Sequence, residues 1–406
     1  MEEVQPLFNV PASVVFGKHS HYTRKPFAAE VLSGVLPRKN ASLAEATEAL
    51  LVRETNLHLI HQGDRSFWSE DPKAQMAGTS PYASKFFQGA TIVPRTAWFV
   101  QIQFDRDLGF SPSTPYVKTD QRATDQAKEA YADLTMEGNI EKEFLYATLL
   151  STDLLPFGFL QYRSVVLPIK PSNDPSSDTF LMVDLEMARK EGYSHLAKWL
   201  EVCEKEWKER RKEKAGKMTI YERLDHVHGL TQQHYRSRFK VVYPTSATNL
   251  CSAVVPNERI NIRLGAQSIN LRRYVVESKL YYYETENEKE AHFLSAFLNA
   301  PFVDEKIKPM QSRGLWGPRD IHKKIWELPI PAFDQSKSSH IELSQLGIHC
   351  AKKVSEILPS LDTVQITPGR IGRLRSEVRD RLRTELQQID VVVGKIMRKQ
   401  ESSALV

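Results

Sequence analysis

A mixed α+β fold is predicted by three features of the sequence. Apolar residues alternate at Trp98, Val100, Ile102 and Phe104, the signature of a half-buried strand. Short β-branched and aromatic runs recur between 218 and 334, each bounded by turn residues. Helical spacing governs two stretches: 3, 4, 3, 4 along Tyr193, Leu196, Leu200, Cys203 and Trp207, and 4-4-4-3-4-3 from Leu374 through Val378, Leu382, Leu386, Ile389 and Val393 to Ile396. Strands with interspersed helices, closed by a C-terminal helical element, are therefore expected.

Taken in order, residues 11–17 (PASVVFG) read as a short buried strand, and the Ala/Leu/Glu-rich 41–53 as a helix. Leu57–Ile60 and Ser66–Trp68, separated by Gly63-Asp64, read as strand, turn, strand. A polar loop with Pro72 and Pro81 fills 70–85, a strand 96–104, and a Gly/Pro/Ser loop 109–117. Residues 121–150 are expected to be helical with a break at Gly138-Asn139, because Ile140, Phe144 and Thr148 share one helical face. A strand is expected over 160–169, and the polar 171–178 (PSNDPSSD) reads as a linker. The helix 193–217 has a charged far end in which Glu and Lys/Arg alternate, which marks a solvated face. Strands are expected at 239–243, 250–255, 273–276 and 279–283, and an amphipathic helix at 288–299. From 332 the chain is expected to be helical to its end.

A chain of 406 residues with 41% hydrophobic residues can bury a large core and is too long for one ordinary domain. The expected divisions are 1–185, 186–217 as a connecting helix, 218–334, and 335–406. No apolar run is long enough to span a bilayer, and the acidic start MEEVQPLFNV does not resemble a signal peptide. Three widely spaced cysteines, Cys203, Cys251 and Cys350, argue against a disulfide framework. A soluble cytoplasmic protein without a membrane partner is expected. The net charge of +5 is concentrated in residues 301–406, which hold 18 Lys/Arg against 13 Asp/Glu. A basic segment on a neutral body points towards a polyanion.

Several chemistries have no motif. No Gly-x-Gly-x-x-Gly or phosphate-binding glycine loop occurs, so no nucleotide or S-adenosylmethionine cradle is expected in this chain. Asn173-Asp174-Pro175-Ser176 lacks the second proline and the aromatic of an amino-methyltransferase loop. His19, His21, Asp225, His226 and His228 lack further ligands at usable spacing, so no metal site is expected. Glu277-Ser-Lys279 matches the Glu-x-Lys half of a metal-dependent nuclease site. It supports an alternative reading, a Mg-dependent DNA nuclease of a defence system.

Recognition chemistry is better represented. Four strings concentrate polar, basic and aromatic residues between strands: Phe87 to Arg95; Leu230 to Gln233 running on to Lys240–Asn249; Glu290 to Asn299; and Ile307 to Lys324, closing on Leu328-Pro-Ile-Pro331. In this order they resemble the C-terminal, target-recognition half of large N6-adenine DNA methyltransferases of restriction-modification and phage-defence systems. The fourth string is also similar to the end of a recognition domain in type I specificity subunits. The resemblance spans roughly 10–395, and it lacks the family's catalytic domain, which suggests a split subunit or a truncated gene product.

It implies a double-stranded DNA partner and a separate catalytic methyltransferase subunit or domain that carries S-adenosylmethionine. No catalytic residue is implied here. Residues 1–185 and 218–334 become parts of a recognition region. Arg313, Arg319, Lys323 and Lys324 are the leading phosphate or base contacts. Gln311, Ser246, Thr248 and Asn249 are polar readers, and Lys240 and Arg95 are further candidates. Trp316 and Trp326 read as packing residues, and the six arginines from Arg370 to Arg383 could track phosphates but fit a solvated helix face slightly better. The seam 193–207 and the stripe 374–396 are candidate docking surfaces, or pack against each other.

Overall fold

A computed structural model describes residues 3–5, 12–14, 26–62, 65–72, 80–104, 110–125, 129–258, 260–264, 267–311, 313–314, 317–361 and 368–404. The fold is α+β, with several separate sheets and helices gathered towards the C-terminus. No helix among the described residues is long and apolar enough to cross a membrane. All three cysteines are free and buried.

The first sheet holds Glu3–Gln5, Phe27–Val35, Leu50–Gln62 and Arg65–Ser69 in that order. The expected hairpin about residues 63–64 is present. The helix expected over 41–53 is only Leu43–Ala49, capped by a Ser42–Glu45 box. Beyond Ala49 the chain pairs with Phe27–Val35 along eight residues, and ladder hydrogen bonds outweigh weak helix propensity. The strand Phe27–Val35 itself was not foreseen. The strand expected over 11–17 falls mostly outside the described residues, and the described part, 12–14, belongs to no strand.

The second sheet is antiparallel, ordered Glu137–Asn139, Tyr116–Thr119, Phe99–Ile102, Arg163–Val166 and Leu145–Thr148. It overturns the long helix expected over 121–150, of which, among the described residues, only Gln121–Asp125 is α-helical. Gly138 adopts φ 154°, a value no helix holds, and lies in an edge strand. Leu145–Thr148 is buried on both faces, so every residue of the run is apolar or small. A fully buried strand shows no period of its own, and the chance i, i+4, i+8 match misleads.

Helix Ser194–Arg210 covers this sheet with Leu196, Leu200, Cys203 and Trp207. Tyr193, its N-cap residue, makes no side-chain cap bond; instead the Glu141 carboxylate accepts from the amides of His195 and Leu196 at 2.9 and 2.8 Å. The expected linker 171–178 is the loop of a hairpin between Ile169–Pro171 and Phe180–Met182.

The third sheet runs Ala253–Pro256, Phe239–Pro244, Leu280–Thr285, Phe87–Gln88. Residues 273–276 form no strand; Tyr274 makes only an isolated bridge to Ala147. On this sheet sits an aromatic cluster in which Phe86 stacks on Trp326 with ring centroids 4.2 Å apart. Trp326 is a packing residue, as expected, and its indole donates to Tyr243 Oη at 2.9 Å. Trp316 lies outside the described residues.

Helix Glu288–Asn299 is buried from Ala291 onward. Helix Ser338–Ile357 crosses it so closely that a Cβ on Gly347 would meet the His292 carbonyl at 2.4 Å. The C-terminal stripe divides between helices Pro368–Arg381 and Arg383–Ala404, and Leu374, Val378, Leu382, Leu386, Ile389, Val393 and Ile396 are all buried in this core. The stripe and the 193–207 seam are thus covered within the chain, each by its own core.

Two buried charge networks pin loops to this framework. Arg163 binds Asp153 through Nε at 2.6 Å and lies 3.6 Å from Asp120, all three side chains being buried. Lys240, 1% exposed, lies 2.9 Å from Glu284, whose other oxygen meets the half-exposed His234 at 2.7 Å. Burial works to raise the Glu284 carboxyl, but Lys240 and His234 together hold it below the usual range.

Arg163→Met leaves two buried carboxylates without their cation, and should destabilise the fold by about 3–5 kcal/mol in a urea titration. His234 is held above its usual value of 6.5 by its bond to Glu284. Its stabilisation is therefore complete below pH 6.5 and is lost as pH rises through the raised value. The urea midpoint of wild type, measured relative to His234→Gln, should fall as pH rises across that window. A constant difference would show that the ion pair contributes nothing.

Candidate nucleic-acid interface

The loop after strand Phe239–Pro244 has little pairing of its own. Ser246 bridges Asp320, and the amide of Ala247 donates to the Arg319 carbonyl at 2.9 Å. Ala247 and Leu250 point into the core, so Ser246 and Thr248 are turned to solvent, with Asn249 half-buried. Opposite lies the first half of helix Pro368–Arg381, tied down by Arg375, which donates to the carbonyls of Ser151 and Leu154.

Between them is an open cleft of about 870 Å³. Ser246, Thr248, Asn249 and Arg319 line one side, and Gly369, Gly372, Arg373 and Arg381 line the other. The exposed side chains of Arg319 and Arg373 make no ion pair with a described residue. Arg381 is bound to Glu377, and Asp380 also faces the cleft. Four arginines against two acids make the walls net cationic. Hydroxyls, a carboxamide and guanidiniums without a described ion-pair partner, lining one concavity, suit a phosphodiester backbone flanked by base edges.

The structure thus brings together four of the ten candidates named from sequence, Ser246, Thr248, Asn249 and Arg319. The others are placed differently. Lys240 is sealed in its pair with Glu284 and donates to Gln233 at 3.2 Å, so it cannot reach a phosphate. Lys324 is buried against Asp320, an i, i+4 pair that leaves it no access to solvent. Gln311 is buried, and neither atom of its amide finds a partner among the described residues. Lys323 donates to the Ala83 carbonyl at 3.3 Å. Arg95 lies 3.6 Å from the buried Glu277 and is far from fully exposed. The Arg313 backbone forms a two-residue ladder with Pro318, and its side chain lies outside what is described.

Sequence reasoning missed Arg373. The arginine run 370–383 reads as a solvated face, yet it divides by helical position. Arg375 and Arg379 point inward and bond carbonyls, Arg381 and Arg383 pair with acids three or four residues away, and Arg373 faces the cleft. Spacing alone could not single it out, because Glu377 stands four residues from both Arg373 and Arg381, and only the structure shows that it binds Arg381.

The Glu277–Lys279 pair does not form a nuclease site. Glu277 is buried, with its carboxylate accepting from the Ser278 hydroxyl and the Lys279 amide. Burial pushes its pKa up against the opposing Arg95. Lys279 points to solvent, and no cluster of three His, Cys, Asp or Glu that could hold a metal ion exists among the described residues.

No family model and no curated protein matches the chain. Among solved structures it is similar to the Type IIL restriction-modification enzyme MmeI in complex with DNA, with TM-score 0.41 and 10% identity. The likeness covers 93% of this chain, which spans 40% of the length of that one.

Proposed function

We propose that this chain is the sequence-specific duplex-DNA recognition subunit, or part, of a site-specific adenine-N6 DNA methyltransferase of a restriction-modification or phage-defence system. It holds the target for a separate catalytic subunit, which binds S-adenosylmethionine and transfers the methyl group. The observation that carries the reading is the cleft itself. Residues chosen from sequence for base and phosphate chemistry, far apart in the chain, line one cationic concavity together with an arginine that no described residue neutralises. The adenine-methylating context is supported by the order of the four sequence strings.

In this reading Arg373 displaces counterions from phosphates, which supplies affinity but no sequence information, and Arg319 reaches towards a base edge. Gly369 and Gly372 present bare helix backbone to the cleft, with no atom within 4 Å of where a Cβ would stand, so the sugar-phosphate chain can approach closely. Ser246, Thr248 and Asn249 offer donors and acceptors to base edges; an asparagine carboxamide matches adenine N6 and N7 in the major groove.

Fluorescence anisotropy with a duplex enriched from a random library tests this. Arg373→Ala should weaken all duplexes alike and reduce the salt slope by about 1, the mark of a lost phosphate contact. Arg319→Ala should cost about 1–3 kcal/mol and relax preference at one base pair if the guanidinium reaches a base. Wild-type protein whose affinity is indifferent to salt would sink the reading.

A further inference from the structure

We propose that the hairpin of strands Ile260–Leu264 and Gln267–Leu271 is a second DNA-reading element, a two-stranded ribbon that enters the major groove and reads an adenine through the paired carboxamides of Asn261 and Asn270. The inference rests on the duplex-DNA reading above.

The ribbon is two-faced. Opposed residues share a face, and the register sets Asn261 against Asn270 and Arg263 against Ser268. These four are all exposed. The alternate residues Ile260, Ile269 and Leu271 are buried in the main core, with Ile262 and Leu264 packed against it. The apolar side thus anchors the ribbon. Its base is fastened further by the Arg272 amide donating to Leu145 at 3.0 Å and the Ala147 amide to Arg273 at 2.9 Å.

The outward side is built for a polyanion with polar edges. The strands Ile260–Leu264 and Gln267–Leu271 carry Arg263 on this outward face and no Asp or Glu. Arg263 makes no ion pair with a described residue. The face offers no aromatic or aliphatic anchor, the feature on which a protein–protein interface depends. A groove about 12 Å wide admits two strands about 4.8 Å apart.

The amides supply the specificity. Asn261 Nδ2 donates to Asn270 Oδ1 at 2.9 Å. That bond fixes both side chains and leaves Asn261 Oδ1 to accept and Asn270 Nδ2 to donate. An acceptor beside a donor complements the N6 donor and N7 acceptor of adenine, and no other base presents that pair in the major groove.

The test compares wild type, Asn261→Ala/Asn270→Ala and Arg319→Ala/Arg373→Ala on the duplex enriched by wild type. Each adenine of that duplex is replaced in turn by 7-deazaadenine, which lacks the N7 acceptor. At one position the replacement should weaken wild type about tenfold and leave the asparagine variant unaffected. Both asparagines are exposed, so the urea midpoint should not move; if the alanine pair fails to fold, Asn261→Ser/Asn270→Ser carries the same comparison. An asparagine variant that keeps every base preference, with its 7-deazaadenine response intact, overturns the ribbon. If the arginine variant has meanwhile lost affinity, the cleft stands alone. A uniform loss of affinity with unchanged preference also overturns it, since phosphate contact then suffices. Wild type that binds all duplexes equally removes the base-reading role of the cleft and the ribbon together.

Discussion

The backbone of residues 248–252 is held by side chains that come from helices. Asn299 is the centre of this arrangement: its Oδ1 accepts from the Ser252 amide at 3.1 Å, and its Nδ2 donates to the Ser252 and Ser295 carbonyls, each at 2.8 Å. One turn further on, Asp304 accepts from the Leu250 amide at 2.7 Å, and Lys308 donates to the Thr248 carbonyl. Arg379, from the C-terminal helices, takes the Leu250 carbonyl. Polar backbone that leaves a sheet and turns through the interior must find partners or incur a cost of about 1–3 kcal/mol per group. Here three helices supply them, so the loop that lines the cleft inherits the rigidity of the core behind it.

The same requirement sorts the cations. A guanidinium that caps buried carbonyls is structural, whatever its neighbours in sequence, because removing it strands acceptors that water cannot reach. Arg375 does this for Ser151 and Leu154, and Arg379 for Leu250. Lys240 and Lys324 are engaged by carboxylates in the interior. Among the described residues, Arg319 and Arg373 have neither duty. A net charge of +5 therefore says less about a polyanionic partner than the placement of two side chains in one cleft.

Legibility in the sequence followed periodicity. Helices 194–210 and 288–299 each bury one face or a graded surface against a defined neighbour, and their patterns are visible in the residues. Of the five-stranded sheet, Phe99–Ile102 and Arg163–Val166 lie within strands expected from the sequence, but Leu145–Thr148 was hidden, because it is covered on both sides and loses the alternation that marks a strand. The hairpin 260–271 was also missed: its alternation of Ile, Asn, Ile, Arg is clear in retrospect but reads as a polar loop when scanned for apolar runs. Of the site, the loop 246–249 and Arg319 were found by residue type. What residue type could not show was depth. Lys240 and Arg319 look alike as sequence, and only the tertiary partners Glu284 and Gln233 remove the first from solvent.

In the reading proposed above, the rigidity of the cleft loop would have an energetic consequence. Ordering a loop on binding costs about 1–2 kcal/mol per residue, which weakens cognate and non-cognate complexes equally. A loop already fixed by Asn299 and Asp304 avoids that cost. It also cannot re-form around a wrong base pair, so a mismatch leaves Ser246, Thr248 or Asn249 desolvated without a partner. Discrimination then arises mainly from the penalty on wrong sequences. In that reading the buried amide of Asn299 and carboxylate of Asp304 would shape specificity through the loop they hold, without touching a nucleotide.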